Sequence, residues 1–279
     1  MHRYFTAKVD IRLSKEILYY SLPMIPNSLG WWINHSVSRL FLNHYCGVAD
    51  VGLYSASTKM PNIIDTFRGF FVQAWQLSTI MEYNNKEAIS FFHHIYRLYN
   101  IFLILLCSLL MMLSQLIASI LYSKDFFEAW RYTPLLIAGV LFGSMIAYFT
   151  PSYLAHKKTK RLFLSTLFGA VVTLILNAIL TPRIGILGAA ITTMMSNLAV
   201  FLFVFIDCRK YFNFELINYR FIISYIIIVI HALVITFLGV SPISVWSFAS
   251  LLAVVMINKN DISLLVKESL TIVIKKFHH

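Results

Sequence analysis

The stretch Ser21–Leu42 reads SLPMIPNSLGWWINHSVSRLFL. Most of its positions are apolar, as in a membrane segment, yet it carries two prolines, two asparagines, a histidine and an arginine. Polar groups inside a membrane are costly, so they face partner helices or a water-filled cavity and mark pathways for substrates or ions. The stretch therefore predicts a membrane helix whose polar side lines a transport pathway.

The composition of the whole chain agrees with a membrane protein. Of its 279 residues, 59% are hydrophobic and 13% are charged, whereas soluble domains are roughly 45–50% apolar and 25% charged. The net charge of +11 does not indicate nucleic-acid binding, because no basic patch is interleaved with aromatic residues. Basic residues also collect in the cytoplasmic loops of membrane proteins.

Apolar runs separated by charged or turn-forming linkers predict an all-α fold, a polytopic bundle of about eight membrane-spanning helices. The predicted spans are 17–45, 52–81, 98–122, 132–155, 162–181, 186–207, 220–238 and 241–257. The second span is the weakest by hydropathy. It can cross only where neighbouring helices or water cover its polar side.

The distribution of Lys and Arg predicts the orientation of these spans. Of 23 such residues, seventeen fall in the two terminal segments and in the alternate linkers on the same side, three on the opposite side and three inside the spans. This asymmetry predicts that both termini are cytoplasmic. The tail at 258–279 alternates apolar residues and lysines, which suits a helix on the inner membrane surface.

The sequence PRIGILGAAITTMMSN, residues 182–197, predicts a turn and a close helix contact. Pro182 and Gly185 favour a turn outside the membrane. Gly185, Gly188, Ala189 and Ser196 then give the following helix a small-residue face, which lets helices approach closely in a membrane.

Polar residues of the second predicted span recur at helical spacing. The polar residues that share one face of this helix are Asn62, Asp65, Gln73 and Gln76. Each is separated from the next by three residues or by two steps of four, which is the spacing of one helix face. Arg68 follows Asp65 by three residues and is within reach of an ion pair. The sequence therefore predicts a charged site near the middle of this span.

The first span adds a second set of polar residues. Asn27 and Asn34 share one stripe, and Arg39 lies on a neighbouring stripe. At about 1.5 Å rise per residue, Arg39 and Lys59 fall at similar depth on adjacent helices. Arg39, Lys59 and Arg68 exceed the single acid Asp65 by two positive charges, which favours an anionic ligand with phosphate oxygens. An internal salt-bridge network that only holds helices together is the alternative.

Enzyme and cofactor signals are missing from the sequence. It has no Gly-rich phosphate loop, HExxH motif or nucleophile elbow. Cys46, Cys107 and Cys208 lie too far apart for a zinc site or a disulfide framework. We therefore expect no enzyme activity, no cofactor and no metal. The lack of an ATP-binding motif favours a secondary transporter over an ATP-driven pump.

Four stretches carry a resemblance to a known family: SLPMIPNSLGWWINHSVSR, GVADVGLYSASTKMP, FVQAWQLS and PRIGILGAAITTMMSN. They resemble the C-terminal half of Wzx-type polysaccharide repeat-unit flippases, which serve O-antigen, capsule or teichoic acid synthesis. These belong to the multidrug/oligosaccharidyl-lipid/polysaccharide exporter superfamily. The resemblance covers residues 17–210.

This resemblance implies two six-helix lobes that rock around a central cavity in the bacterial cytoplasmic membrane. They move an undecaprenyl-pyrophosphate-linked oligosaccharide from the inner to the outer leaflet for lipopolysaccharide or capsule assembly. The chain matches the second lobe at 17–210. Residues 1–16 are then a cytoplasmic segment, 211–257 two additional transmembrane helices and 258–279 a cytoplasmic tail. A separate N-terminal lobe or a second copy is the expected protein partner, alongside membrane lipids.

Under this hypothesis the candidate residues take distinct roles. Asp65 tunes Arg68 or couples transport to an ion. The residues that would attract the pyrophosphate are the cations Arg39, Lys59 and Arg68. The residues that would hydrate the sugar path are the amides Asn27, Asn34, Gln73 and Gln76. Two alternatives stay open: a cation-coupled multidrug exporter of the same fold, and a non-transporting scaffold or remnant lobe.

Overall fold

The computed structural model describes residues 15, 36–82, 88–212, 218–242 and 244–267. Within these ranges the chain is helical with no strand, which confirms the predicted all-α class. A 3-10 helix spans Lys124–Arg131. The α-helices are α1 (36–45), α2 (Val48–Ser57), α3 (Lys59–Glu82), α4 (Ala88–Leu121), α5 (Thr133–Ala155), α6 (Thr159–Phe212), α7 (Tyr219–Leu238), α8 (Val245–Ile257) and α9 (Lys259–Lys267).

Helix α6 is a hairpin of two antiparallel limbs. Its helical geometry breaks at Ile184 and Gly185, and Gly185 adopts φ 55° and ψ −130°, a conformation that a side chain would strain. The hydroxyls of Thr173 and Ser196 lie 2.6 Å apart across the limbs, and Ser196 Oγ donates to the carbonyl of Gly169. The predicted turn and the close contact of the small-residue face are thus confirmed, and the location of the turn outside the membrane stays a prediction.

Four described helical stretches are long and apolar enough to cross a membrane: Ser90–Leu121, Thr133–Ala155, Thr159–Arg209 and Tyr219–Leu238. The pair Val245–Ile257 and Lys259–Lys267, bent by 74°, makes a fifth if it is one span. Thr159–Arg209 contains both limbs of the hairpin. The protein is therefore a multi-pass membrane protein, while the number of eight crossings stays a prediction.

The second predicted span, 52–81, is divided at Thr58 into α2 and α3. Pro61 explains the interruption, because proline has no N–H for the carbonyl four residues earlier. That carbonyl belongs to Ser57, and it accepts a hydrogen bond from Thr133 Oγ1 at 3.3 Å. Helix α3 is not among the apolar candidate spans, in agreement with the expected weakness of this span.

Helix α5 forms the centre of the bundle. Eighteen of its 23 residues are buried, and it packs most extensively against α6 and then α3. Gly139 permits the close approach to α6, since a Cβ atom there would lie 3.2 Å from the Cα of Met194. Small residues at such contacts let membrane helices pack backbone to backbone.

The described turns gather at two ends of the bundle. At one end, Cys46 Sγ lies near Gly185 in the hairpin tip, and Thr236 Oγ1 donates to the carbonyl of Arg131. At the other end, Arg161 Nη1 contacts Asp207 Oδ1 at 2.7 Å. The arrangement fits the alternation required by the predicted spans. Which end faces the cytoplasm stays a prediction.

An ion pair anchors α9 to the start of the long helix α4. Arg97 Nε donates to Asp261 Oδ1 at 2.9 Å, and only 1% of the Asp261 side chain is exposed. Asn258 Nδ2 donates to Ser224 Oγ of α7 at 2.7 Å. The first part of the predicted tail is therefore packed on α4 and α7, whereas 268–279 lies outside the described residues.

Replacing Arg97 should loosen the C-terminal helices. Removing one partner of a buried ion pair leaves the other charge unpaired at a cost of about 3–5 kcal/mol, and the 45% exposure of the Arg97 side chain places the effect below that range. We expect Arg97→Gln to lower the melting temperature in detergent and to increase proteolysis near α9. Lys259→Gln, at an exposed position of α9, is the control. Equal behaviour of both variants would exclude this anchoring role.

Candidate functional site

A polar cavity of about 90 Å³ lies where α1, α2 and α3 meet α5 and the second limb of α6. The charged residues of its lining are Arg39, Asp65 and Arg68. The structure thus brings together three of the four charged residues that the sequence predicted for one site, from helices α1 and α3.

Helix α3 contributes both members of an ion pair. Arg68 Nη2 lies 3.0 Å from Asp65 Oδ1, and the two side chains are 20% and 22% exposed, so the ion pair predicted from the spacing is confirmed. Both side chains are open to the cavity, where an incoming group can reach them.

Helix α1 directs Arg39 towards the same cavity. The neighbouring Ser38 is buried and accepts a hydrogen bond from Asn177 Nδ2 of α6 at 3.1 Å, which fixes the rotation of α1. Arg39 itself is exposed. Within the part of the chain that the structure describes, no carboxylate forms an ion pair with it. Its charge is available to a ligand.

Several lining residues were not predicted as site residues. Tyr54 of α2 and Thr193 of α6 line the cavity and share a hydrogen bond of 3.0 Å. Asn197 of α6 lies beside Gly143 of α5, where a Cβ atom would be 3.7 Å from the amide nitrogen and 3.5 Å from Arg68 Nη1. The motifs GVADVGLYSASTKMP and PRIGILGAAITTMMSN contain three of these residues, but spacing on one helix does not identify the helices that it contacts.

The other predicted site residues are not part of this cavity. Lys59 is exposed at the start of α3 and is not in the lining. Gln73 and Gln76 are exposed further along α3 and also lie outside it. Asn27 and Asn34 lie outside the described residues.

An aromatic cluster fixes the second half of α3 against α4 and α5. The rings of Phe71 and Tyr99 stack at 3.8 Å between centroids, and those of Trp75 and Tyr148 at 5.0 Å. Trp75 Nε1 donates to the carbonyl of Tyr148 at 2.9 Å, and the Tyr148 hydroxyl donates to the carbonyl of Phe92 at 2.7 Å. Such anchoring limits rotation of α3 and so holds Asp65 and Arg68 at the cavity.

The lining combines two guanidinium groups, one carboxylate and neutral hydroxyl and amide groups. Guanidinium groups bind phosphate and carboxylate oxygens with two parallel hydrogen bonds, and water-excluding surroundings strengthen such contacts. In the described ranges, no group of three or more His, Cys, Asp or Glu side chains could hold a metal ion. The cavity is therefore suited to an anionic group.

Comparison with known proteins gives a structural relative. No family model and no curated protein matches the chain. A solved structure of the lipid II flippase MurJ, in an inward closed conformation, matches with a TM-score of 0.63 and 16% sequence identity. The match covers 94% of this chain and 57% of MurJ. The chain thus spans little more than half the length of this relative, and its fold is similar to that of the matched part of MurJ.

Proposed function

We propose that the protein takes part in moving a lipid-linked oligosaccharide, with an undecaprenyl-pyrophosphate carrier, across the bacterial cytoplasmic membrane for cell-surface polysaccharide synthesis. The carrier is anionic at the junction of lipid and sugar. Arg39 and Arg68 would bind the pyrophosphate as it passes, while the neutral groups of the cavity would contact sugar hydroxyls.

The cavity with its two arginines is the observation that carries this proposal. A charge inside the bilayer costs about 2.5–3.5 kcal/mol even on the gentler insertion scales. Arg39 has no carboxylate partner among the described residues, so no salt bridge within that part of the chain accounts for it. The likeness to MurJ supports a lipid-linked substrate, because MurJ is a lipid II flippase with a similar helical bundle.

The proposal includes a second helical lobe against the open side of α3. Gln73 and Gln76 are exposed on this helix together with Phe70 and Leu77. Polar side chains inside the membrane face protein or water rather than lipid. Another lobe opposite this side would enclose a water-filled pathway between the two lobes. Gln73 and Gln76 would then face this pathway, where they would hydrate the sugar.

Deletion of the reading frame in its native host tests the proposed function. We expect loss of a surface polysaccharide together with accumulation of its lipid-linked precursor in the inner leaflet. Both quantities are measured, because a block in sugar synthesis would remove the polymer without accumulating the precursor. Unchanged polymer and unchanged precursor would refute the proposal.

A further inference from the structure

The ion pairs of the described chain differ in what they connect. Arg97 and Asp261 join α4 to α9, and Arg161 and Asp207 join the two limbs of α6. Asp65 and Arg68, by contrast, lie three residues apart on α3. Ion pairs of this local kind stabilise a helix only weakly. Holding helices together therefore does not explain the third pair.

The geometry of this local pair is also loose. Asp65 Oδ1 is buried and lies 3.0 Å from Arg68 Nη2, yet it makes no hydrogen bond with the described residues. A buried carboxylate oxygen without a hydrogen bond has lost the solvation of water and has gained little in return. The contact supplies charge neutralisation without a fixed, directional bond.

The surroundings leave room for a different partner of Arg68. Arg68, Gly143 and Asn197 together line the cavity of about 90 Å³, and a Cβ atom on Gly143 would lie in ordinary van der Waals contact with Arg68 Nη1 at 3.5 Å. Asn197 Nδ2, a second donor, lies at the same place. An anion that enters here can meet the guanidinium and an amide N–H together.

We propose that Asp65 is a replaceable internal counter-ion, which occupies Arg68 when the cavity is empty and is displaced by a phosphate group of the substrate. This inference rests on the proposed function and adds the regulation of its site. Before binding, the carboxylate keeps Arg68 from being an unpaired charge in the membrane. During binding, the phosphate forms hydrogen bonds with Arg68 and displaces the carboxylate of Asp65. After the substrate is released, Asp65 pairs with Arg68 again.

Displacement predicts an effect opposite to that of a structural ion pair. If Asp65 competes with the ligand for Arg68, Asp65→Asn should bind the ligand more tightly. The gain should be about two- to fivefold, the size of one ion-pair contact that is open to the cavity. If the pair only shapes the site, the same variant should bind more weakly.

A double-mutant cycle separates displacement from a general electrostatic effect. Binding of undecaprenyl diphosphate, without sugar, is measured on the full chain in lipid nanodiscs for wild type, Asp65→Asn, Arg68→Gln and the double variant. Inorganic pyrophosphate is the second probe, which distinguishes a lipid-bound from a free diphosphate. Asp125→Asn removes an exposed acid far along the chain and is the matched control. Asp65→Ala replaces Asp65→Asn if that variant does not fold.

The expected result is a gain for Asp65→Asn that disappears when Arg68 is already Gln, with no gain for Asp125→Asn. Weaker binding by Asp65→Asn, or a gain that persists in the double variant, would overturn the displacement. Failure of wild type to bind either diphosphate would instead count against the proposed function itself. The two failures are therefore distinguishable.

Discussion

Arg68→Gln should abolish delivery of the lipid-linked oligosaccharide to the outer leaflet, although the protein still inserts into the membrane. Truncating one partner of a buried, hydrogen-bonded charge contact costs about 2–5 kcal/mol or more. At about 1.4 kcal/mol per factor of ten, this corresponds to a loss of transport on the order of 100-fold. The measurement is complementation of the deleted host, with surface polymer and inner-leaflet precursor quantified together.

The control for this prediction is Arg183→Gln. Arg183 is an exposed arginine beside the tip of the α6 hairpin, so its loss changes the net charge equally without touching the cavity. We expect it to complement fully at the same level of membrane-inserted protein. If Arg68→Gln also complemented fully, Arg68 would have no role in transport.

Gly188→Val should prevent formation of the α6 hairpin and remove most of the folded protein. A Cβ atom at Gly188 would lie 2.6 Å from the carbonyl carbon and oxygen of Leu180. Overpacking costs typically about 1–3 kcal/mol and sometimes more. Since the obstructing atoms are backbone, the limbs must separate to relieve the contact. We expect a strongly reduced yield of monodisperse protein in detergent and a lower melting temperature.

Gly69→Ala is the matched control for the hairpin variant. Nothing lies within 4 Å of a Cβ atom at Gly69 in α3. Alanine is favoured over glycine in a helix interior by about 1 kcal/mol, so this variant should be at least as stable as the wild type. If Gly188→Val matched its stability and yield, the close approach of the two limbs would be wrong.

The fold and one ion pair could be predicted from the sequence because they depend on local spacing. Apolar runs determine the helices, the turn at Gly185 requires glycine, and three residues between Asp65 and Arg68 place them on one face of α3. Pro61 is a local signal for the break at Thr58. The apolar run 52–81 nevertheless predicted one continuous span.

The cavity was only partly predictable because its walls come from distant parts of the chain. Gly143, Thr193 and Asn197 join the site through the packing of α5 on α3 and of α6 on α5 and α2, and single-helix periodicity carries no information on such contacts. Lys59, Gln73 and Gln76 were expected to share the site from depth and face alone. The structure places them outside the lining, which takes in α3 only between Pro61 and Arg68.

Site-directed photo-crosslinking in native-host membranes tests most directly whether the cavity contacts the lipid-linked substrate. A photoreactive residue replaces Asn62, which lines the cavity, or Ile120, which is 75% exposed on α4. We expect an adduct that contains the lipid-linked oligosaccharide at position 62, absent at position 120 and lost when Arg68→Gln is added. Equal adducts at both positions, or none at position 62, would contradict a substrate pathway through this cavity.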